Sequence, residues 1–194
     1  MPMPASRPNA TAVASDDPRH TATTIVLHWG AAVVLISAFT LGLLLDDWPR
    51  DAGKSTVMMI HYSLGTIVMA AALIRLLRRL LVPQPPATGD GLLDRAGAAM
   101  HWVLYATMVA LPLAGMLDRW ARGRPLTIFG NITVPAPFPI PGGDLWIEAH
   151  ELLAWTLVGL VGVHALAALF HHFVLRDSVL GRMVPGLRAP VQAG

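Results

Sequence analysis

The chain has 194 residues, of which 54% are hydrophobic and only 13% are charged. Soluble domains carry about 25% charged residues, so this composition indicates a polytopic membrane protein and excludes an ordinary soluble enzyme or a disordered chain. Eight histidines and no cysteine exclude covalently attached c-type haem, cysteine-ligated iron–sulfur clusters, disulfides and thiolate zinc sites.

Residues 1–20 are polar and rich in Pro, Ala, Ser and Thr. No apolar run follows a basic start, so they read as a disordered tail with His20 solvated, not as a signal peptide. The first apolar span runs from about Thr21 to Leu45 and holds His28 and Trp29 near its start. A turn-rich loop, Asp46 to Lys54, places Trp48 at an interface. The second span, about Thr56 to Leu77, begins near His61 and closes on Arg75, Arg78 and Arg79. A Pro/Gly connector from Val82 to Gly91 leads to the third span, about Leu92 to Leu117, with His101 and Pro112. Asp118 to Gly143 form a longer loop carrying Arg119, Arg122 and Arg124. The fourth span, Asp144 to Leu175, carries His150, His164, His171 and His172, and residues 177–194 form a basic tail.

Four spans put both termini on one side. The termini and second connector hold nine basic residues (Arg7, Arg19, Arg75, Arg78, Arg79, Arg95, Arg176, Arg182, Arg188), against five in the other loops (Arg50, Lys54, Arg119, Arg122, Arg124). The positive-inside rule then puts both termini in the cytoplasm. The basic excess thus reads as topology, and nucleic acid is not an expected partner, because its binding needs one basic face. Short connections make neighbouring spans antiparallel, so the expected fold is all-α, an up-down four-helix bundle in the membrane. Residues 21–176 form that bundle, flanked by the two cytoplasmic tails.

This orientation sorts the histidines by depth. His150, Leu157, His164 and His171 recur every seven residues, which returns a side chain to nearly the same helix face. His150 and His164 stand roughly 21 Å apart along the axis. His61 and His150 form an outer layer; His28, His164 and His101 fall in an inner one. Two layers that each supply facing imidazoles suit two b-type haems in the bundle core. Gly65, Ala31, Ala32 and Ala168 lie next to these histidines and leave room for a flat macrocycle. The tryptophans read as interfacial belts, except Trp155, whose depth suggests core packing. Glu148 and Glu151 lie at a helix N-terminus, where the dipole favours carboxylates.

The ordered set Leu27-His28-Trp29, Ile60-His61 with Gly65, Leu111-Pro112 with Gly115, His150-Glu151, His164-Ala165 and His171-His172 resembles the bacterial di-haem cytochrome b561 family, and within it the superoxide oxidase type. The resemblance covers about Thr21 to Met183. It implies two haem b groups, the inner one on His28 and His164 and the outer one on His61 and His150, with His101 as the alternative inner ligand. It further implies residence in the bacterial inner membrane and electron transfer from superoxide, or another periplasmic donor, to ubiquinone. In that reading Arg119, Arg122 and Arg124 steer the anion, and His171, His172 and Arg75 serve the quinone end. A rival reading is a haem-bearing anchor that passes electrons between a partner dehydrogenase and the quinone pool. A histidine-based transporter is disfavoured, because the carboxylates cluster in loops and at helix ends.

Overall fold

The computed structural model describes residues 20–82 and 91–187. The expected tail up to Arg19, most of the Pro/Gly connector and Arg188 lie outside those residues. Four helices are long and apolar enough to cross a membrane: α1 (Ala22–Asp47), α2 (Ala52–Leu81), α3 (Leu92–Ala121) and α4 (Leu145–Phe170), the last continued by a π-helical turn over His171–Leu175.

Polar side chains start the first two helices. Thr21 accepts from Thr24 N–H at 3.3 Å, and Asp51 accepts from Gly53 N–H at 2.8 Å and Lys54 N–H at 3.3 Å. Each bond satisfies a donor that the first turn leaves unpaired. Asp94 and Glu148 lie in the first turns of α3 and α4, where they complement the helix dipole. At the far end of α3, Gly123 takes a positive φ of 66° just past the last turn, which a residue without Cβ adopts freely.

The helices run further than their apolar stretches suggest. Asp46 and Asp47 belong to α1, and Asp118 and Arg119 belong to α3. Charged residues can occupy a helix end that emerges from the bilayer, so polarity alone does not mark the boundary. The loop after α3 also contains structure that was not expected. β1 (Leu126–Ile128) and β2 (Ile132–Val134) pair antiparallel in a short hairpin. Leu126 and Ile128 are buried while Thr127 between them is not, the alternation of a strand with one covered face. The hairpin is fastened to α2 by Phe129 N–H donating to Ser63 Oγ at 2.8 Å.

α1 packs on α2, α2 on α3 and α3 on α4. Side chains bridge α1 and α4, including Phe39 edge-on to Trp155 at 5.5 Å. The middle of the bundle is a dry partition of Ala31, Val68, Ala72, Leu104, Met108 and Leu157. Leu157 is 2% exposed and Ala72 fully buried. Small buried residues such as Ala31, Ala38, Ala72 and Ala114 allow close helix approach, which drives packing where lipid is as apolar as leucine. Val26, Val33, Ile36, Leu152 and Leu166 face outward, as lipid-facing side chains do.

Two expectations need correction. Trp155 does not pack the core: it is 60% exposed, with one edge against Phe39. An apolar surface at mid-helix is stable in lipid, so depth does not imply burial. The other is His20, expected to be solvated, which lies beside the segment after α4. Residues 177–187 fold back in a series of turns, and Trp29 Nε1 donates to the Met183 carbonyl at 2.9 Å. His20 is accordingly half-buried beside this segment, and burial, then the nearby Arg182 charge, hold its pKa below the usual histidine range.

Candidate functional site

The structure brings together the histidines of each expected layer. At the hairpin end, His61 on α2 and His150 on α4 face each other with ring centres 6.0 Å apart and planes at 74°. At the end that holds both described chain ends, His28 on α1 and His164 on α4 have ring centres 6.2 Å apart and planes at 55°. An iron held by two imidazole nitrogens at about 2 Å each places the ring centres about 6 Å apart. Both pairs therefore fit an axially ligated iron. Among the described residues no three-ligand cluster of His, Asp or Glu is found, so the pairs suit a metal whose other ligands come from a macrocycle.

Hydrogen bonding at the first pair prepares its nitrogens. His61 Nδ1 lies 2.9 Å from the Ala38 carbonyl, and His150 Nδ1 lies 2.9 Å from the Leu111 carbonyl. A carbonyl only accepts, so in both rings Nδ1 carries the proton and donates, leaving the Nε2 lone pair free. Such a bond fixes the tautomer and orientation of a metal-ligating histidine.

The second layer is different, because three histidines converge there. His101 on α3 lies 5.3 Å from His164 by ring centres, at 75°. Its Nδ1 donates to the Gly97 carbonyl at 2.7 Å, so its Nε2 is also bare. His28 Nδ1 instead accepts from Arg75 Nη2 at 3.1 Å, since a guanidinium only donates. The proton of a neutral His28 then sits on Nε2. Arg75 also stacks over the Tyr105 ring at 5.4 Å.

The remaining candidates divide. Arg119, Arg122 and Arg124 do not form one free cationic cluster. Arg122 is held by Asp118 and Asp144, each at 2.8 Å, and those hydrogen bonds raise its pKa. Arg119 lies over the Tyr62 ring at 5.5 Å, next to His61 in sequence, and its Nε is buried without a partner among the described residues. Beyond the second layer, His171 Nδ1 bonds Asp177 Oδ2 at 2.5 Å, and His172 Nδ1 is buried without a partner among the described residues.

An added Cβ on Gly65 would meet only the Pro112 Cβ, at 3.7 Å, and Ala31 lies in the central partition. The glycines that touch histidine rings are Gly42, next to His61, and Gly115, next to His150. Gly42, Ala38 and Asp177 were not singled out from the sequence. A glycine inside the apolar run of α1, between Leu41 and Leu43, was the available signal.

A sequence profile of prokaryotic cytochrome b561 matches residues 19–186. The chain belongs to the prokaryotic cytochrome b561 family. It is 34% identical over 167 residues to cytochrome b561 homolog 2 of Escherichia coli K12, covering 81% of this chain and 86% of that protein. It is 34% identical over 169 residues to a probable superoxide oxidase, CybB, of Yersinia pestis, covering 84% and 94%. A third relative is cytochrome b562 of Cereibacter sphaeroides, 27% identical over 178 residues and covering 88% and 98%. The cytochrome b561 family consists of b-type haem membrane proteins that transfer electrons, so this chain is a multi-pass electron-transfer cytochrome.

Proposed function

We propose that this cytochrome carries electrons across the bacterial inner membrane through two b-type haems, oxidising superoxide at the outer face and reducing ubiquinone at the inner one. The positive-inside count supports the orientation, with the hairpin end outside. The observation that carries the reading is the two facing imidazole pairs at 6.0 Å and 6.2 Å, one at each end of the bundle. Bound between His61 and His150, and between His28 and His164, the haems supply a one-electron relay over the roughly 21 Å between layers.

The chain supplies everything else. His61 and His150 offer bare Nε2 atoms whose direction is fixed by the Ala38 and Leu111 carbonyls. His28 would hold the inner haem through Nε2, which requires its proton on Nδ1 and Arg75 turned from the ring. The Leu157 partition keeps water out of the space between the layers. The name of the Yersinia relative supports superoxide as the donor. Arg119 and Arg124 are the arginines suited to attract it, because Arg122 is already neutralised by two carboxylates. Two superoxide anions give up one electron each and leave as oxygen. Those two electrons, with two protons from the inner side, convert one ubiquinone to ubiquinol. His171 and Asp177 form a dyad able to pass protons there, and His172 Nδ1 offers an unused polar atom for a quinone carbonyl.

Mixing oxidised, purified protein with superoxide and a ubiquinone analogue tests this. The reading expects reduction of the haem bands followed by ubiquinol formation at one quinol per two superoxide. Reduction by dithionite but none by superoxide would reject superoxide as donor and leave a partner dehydrogenase in its place.

A further inference from the structure

The two histidines of the hairpin-end pair are held by the same backbone device on two different helices. His61 donates to the carbonyl of Ala38, and the residue four further along α1 is Gly42. His150 donates to the carbonyl of Leu111, and the residue four further along α3 is Gly115. In an α-helix the carbonyl of residue i already accepts from the N–H of residue i+4. Every Cα–Cβ bond also tilts toward the helix N-terminus, so the Cβ at i+4 leans over that carbonyl. Removing this Cβ exposes the carbonyl's second lone pair to a group from a neighbouring helix.

The clearances show that both glycines are used this way. A Cβ on Gly115 would lie 2.9 Å from His150 Nδ1 and 3.0 Å from its Cε1. A Cβ on Gly42 would lie 3.2 Å from His61 Cε1 and 3.7 Å from its Nδ1. The first cannot be accommodated without moving the ring, and the second requires a shift of a few tenths of an ångström. Gly159, on α4, would meet nothing within 4 Å. It is a built-in control: a helix glycine that touches no imidazole.

The geometry points to Gly42 and Gly115 as positioning residues for the outer haem. Each opens a helical carbonyl so that one axial imidazole can dock on it, and the pair sets the tautomer and rotation of both ligands. Among the described residues the inner layer shows no such device: His101 takes the carbonyl of its own helix at Gly97, and His28 faces Arg75. This inference rests on the reading of His61 and His150 as axial ligands and deepens it. It predicts that the two haems of one molecule respond differently to the same kind of substitution.

The test compares Gly42→Ala, Gly115→Ala and Gly159→Ala with the unaltered protein. Haem is counted per chain, and low-spin ferric signals and midpoint potentials are recorded for each haem. Gly115→Ala should weaken retention of the outer haem about 10-fold, the usual scale for loss of a group that orients a metal-bound histidine. The haem that remains should keep the inner signal and potential. Gly42→Ala should retain both haems and shift only the outer signal and potential. Gly159→Ala should leave both signals unchanged. Outer signals that stay unchanged in both Gly42→Ala and Gly115→Ala would overturn the inference, as would equal disturbance of both haems in all three variants. Should Gly115→Ala fail to accumulate, the milder Gly42→Ala decides by the same readouts. An unaltered protein with fewer than two haems would overturn the two-haem reading and this inference together, which distinguishes the two failures.

Discussion

His28 and His101 compete for one partner, His164. His101 has the ligating tautomer ready, whereas His28 has the ring separation that an iron requires, 6.2 Å against 5.3 Å. Separation is set by helix positions and costs more to change than a proton and one arginine rotamer. His28→Ala should therefore abolish the inner haem, and His101→Ala should leave two haems bound, as pyridine haemochrome spectra would count. The reverse result would make His101 the ligand. A similar argument separates the arginines. Arg122 has two carboxylate partners, and Arg119 has a nitrogen beside Tyr62 that finds no partner among the described residues. Arg119→Ser should slow superoxide-driven reduction several-fold and flatten its salt dependence, which arises from screening over about 10 Å at 0.1 M salt. Arg122→Ser should do neither; stopped-flow rates across ionic strength would show it. The histidines were legible at this scale, because their order and two-heptad spacing assign depth. The carbonyls they bond were not. Whether Ala38 or Leu111 meets an imidazole depends on how a helix is rotated, and any residue type carries a carbonyl.

Among the elements, α4 does most of the organising. One stripe carries His150, Leu157 and His164, so the same face carries the proposed outer ligand, an apolar seal and the proposed inner ligand. Leu157 is 2% exposed in the partition between layers. Leu157→Ala should cost about 2–4 kcal/mol through lost contacts and a cavity, measurable by unfolding in mixed detergent, with haem content retained under mild conditions. The opposite face of α4 was misjudged at Trp155 because the helix is apolar all round. Such a pattern announces a membrane helix but not which side meets lipid. The hairpin was illegible for another reason. Two strands of three residues are too short to show a period against a Pro- and Gly-rich background. Helix number and order, by contrast, follow directly from long apolar runs broken by turn residues.

Across the described residues, two histidine layers are separated by an apolar middle, with the hairpin at one end and the segment 177–187 at the other. The hairpin is bonded to α2 through Ser63, and the segment 177–187 is bonded to α1 through Trp29. Trp29→Phe removes one hydrogen bond, about 1 kcal/mol. It should raise amide exchange in residues 177–187 and leave α2 and α3 unchanged, as mass spectrometry would map. That both described ends lie at one end of the bundle was legible, because an even number of spans is a whole-chain property. The return of the C-terminal segment was not, since it depends on one tryptophan meeting one carbonyl 154 positions away. The central claim is that two imidazole pairs at two depths each hold a haem. It is tested most directly by counting haem per chain in the purified protein and in His164→Ala. The account predicts two haems in the first, and one in the second with the outer haem's spectrum and potential preserved. A single haem in the unaltered protein, or loss of both haems from a folded His164→Ala variant, would contradict it.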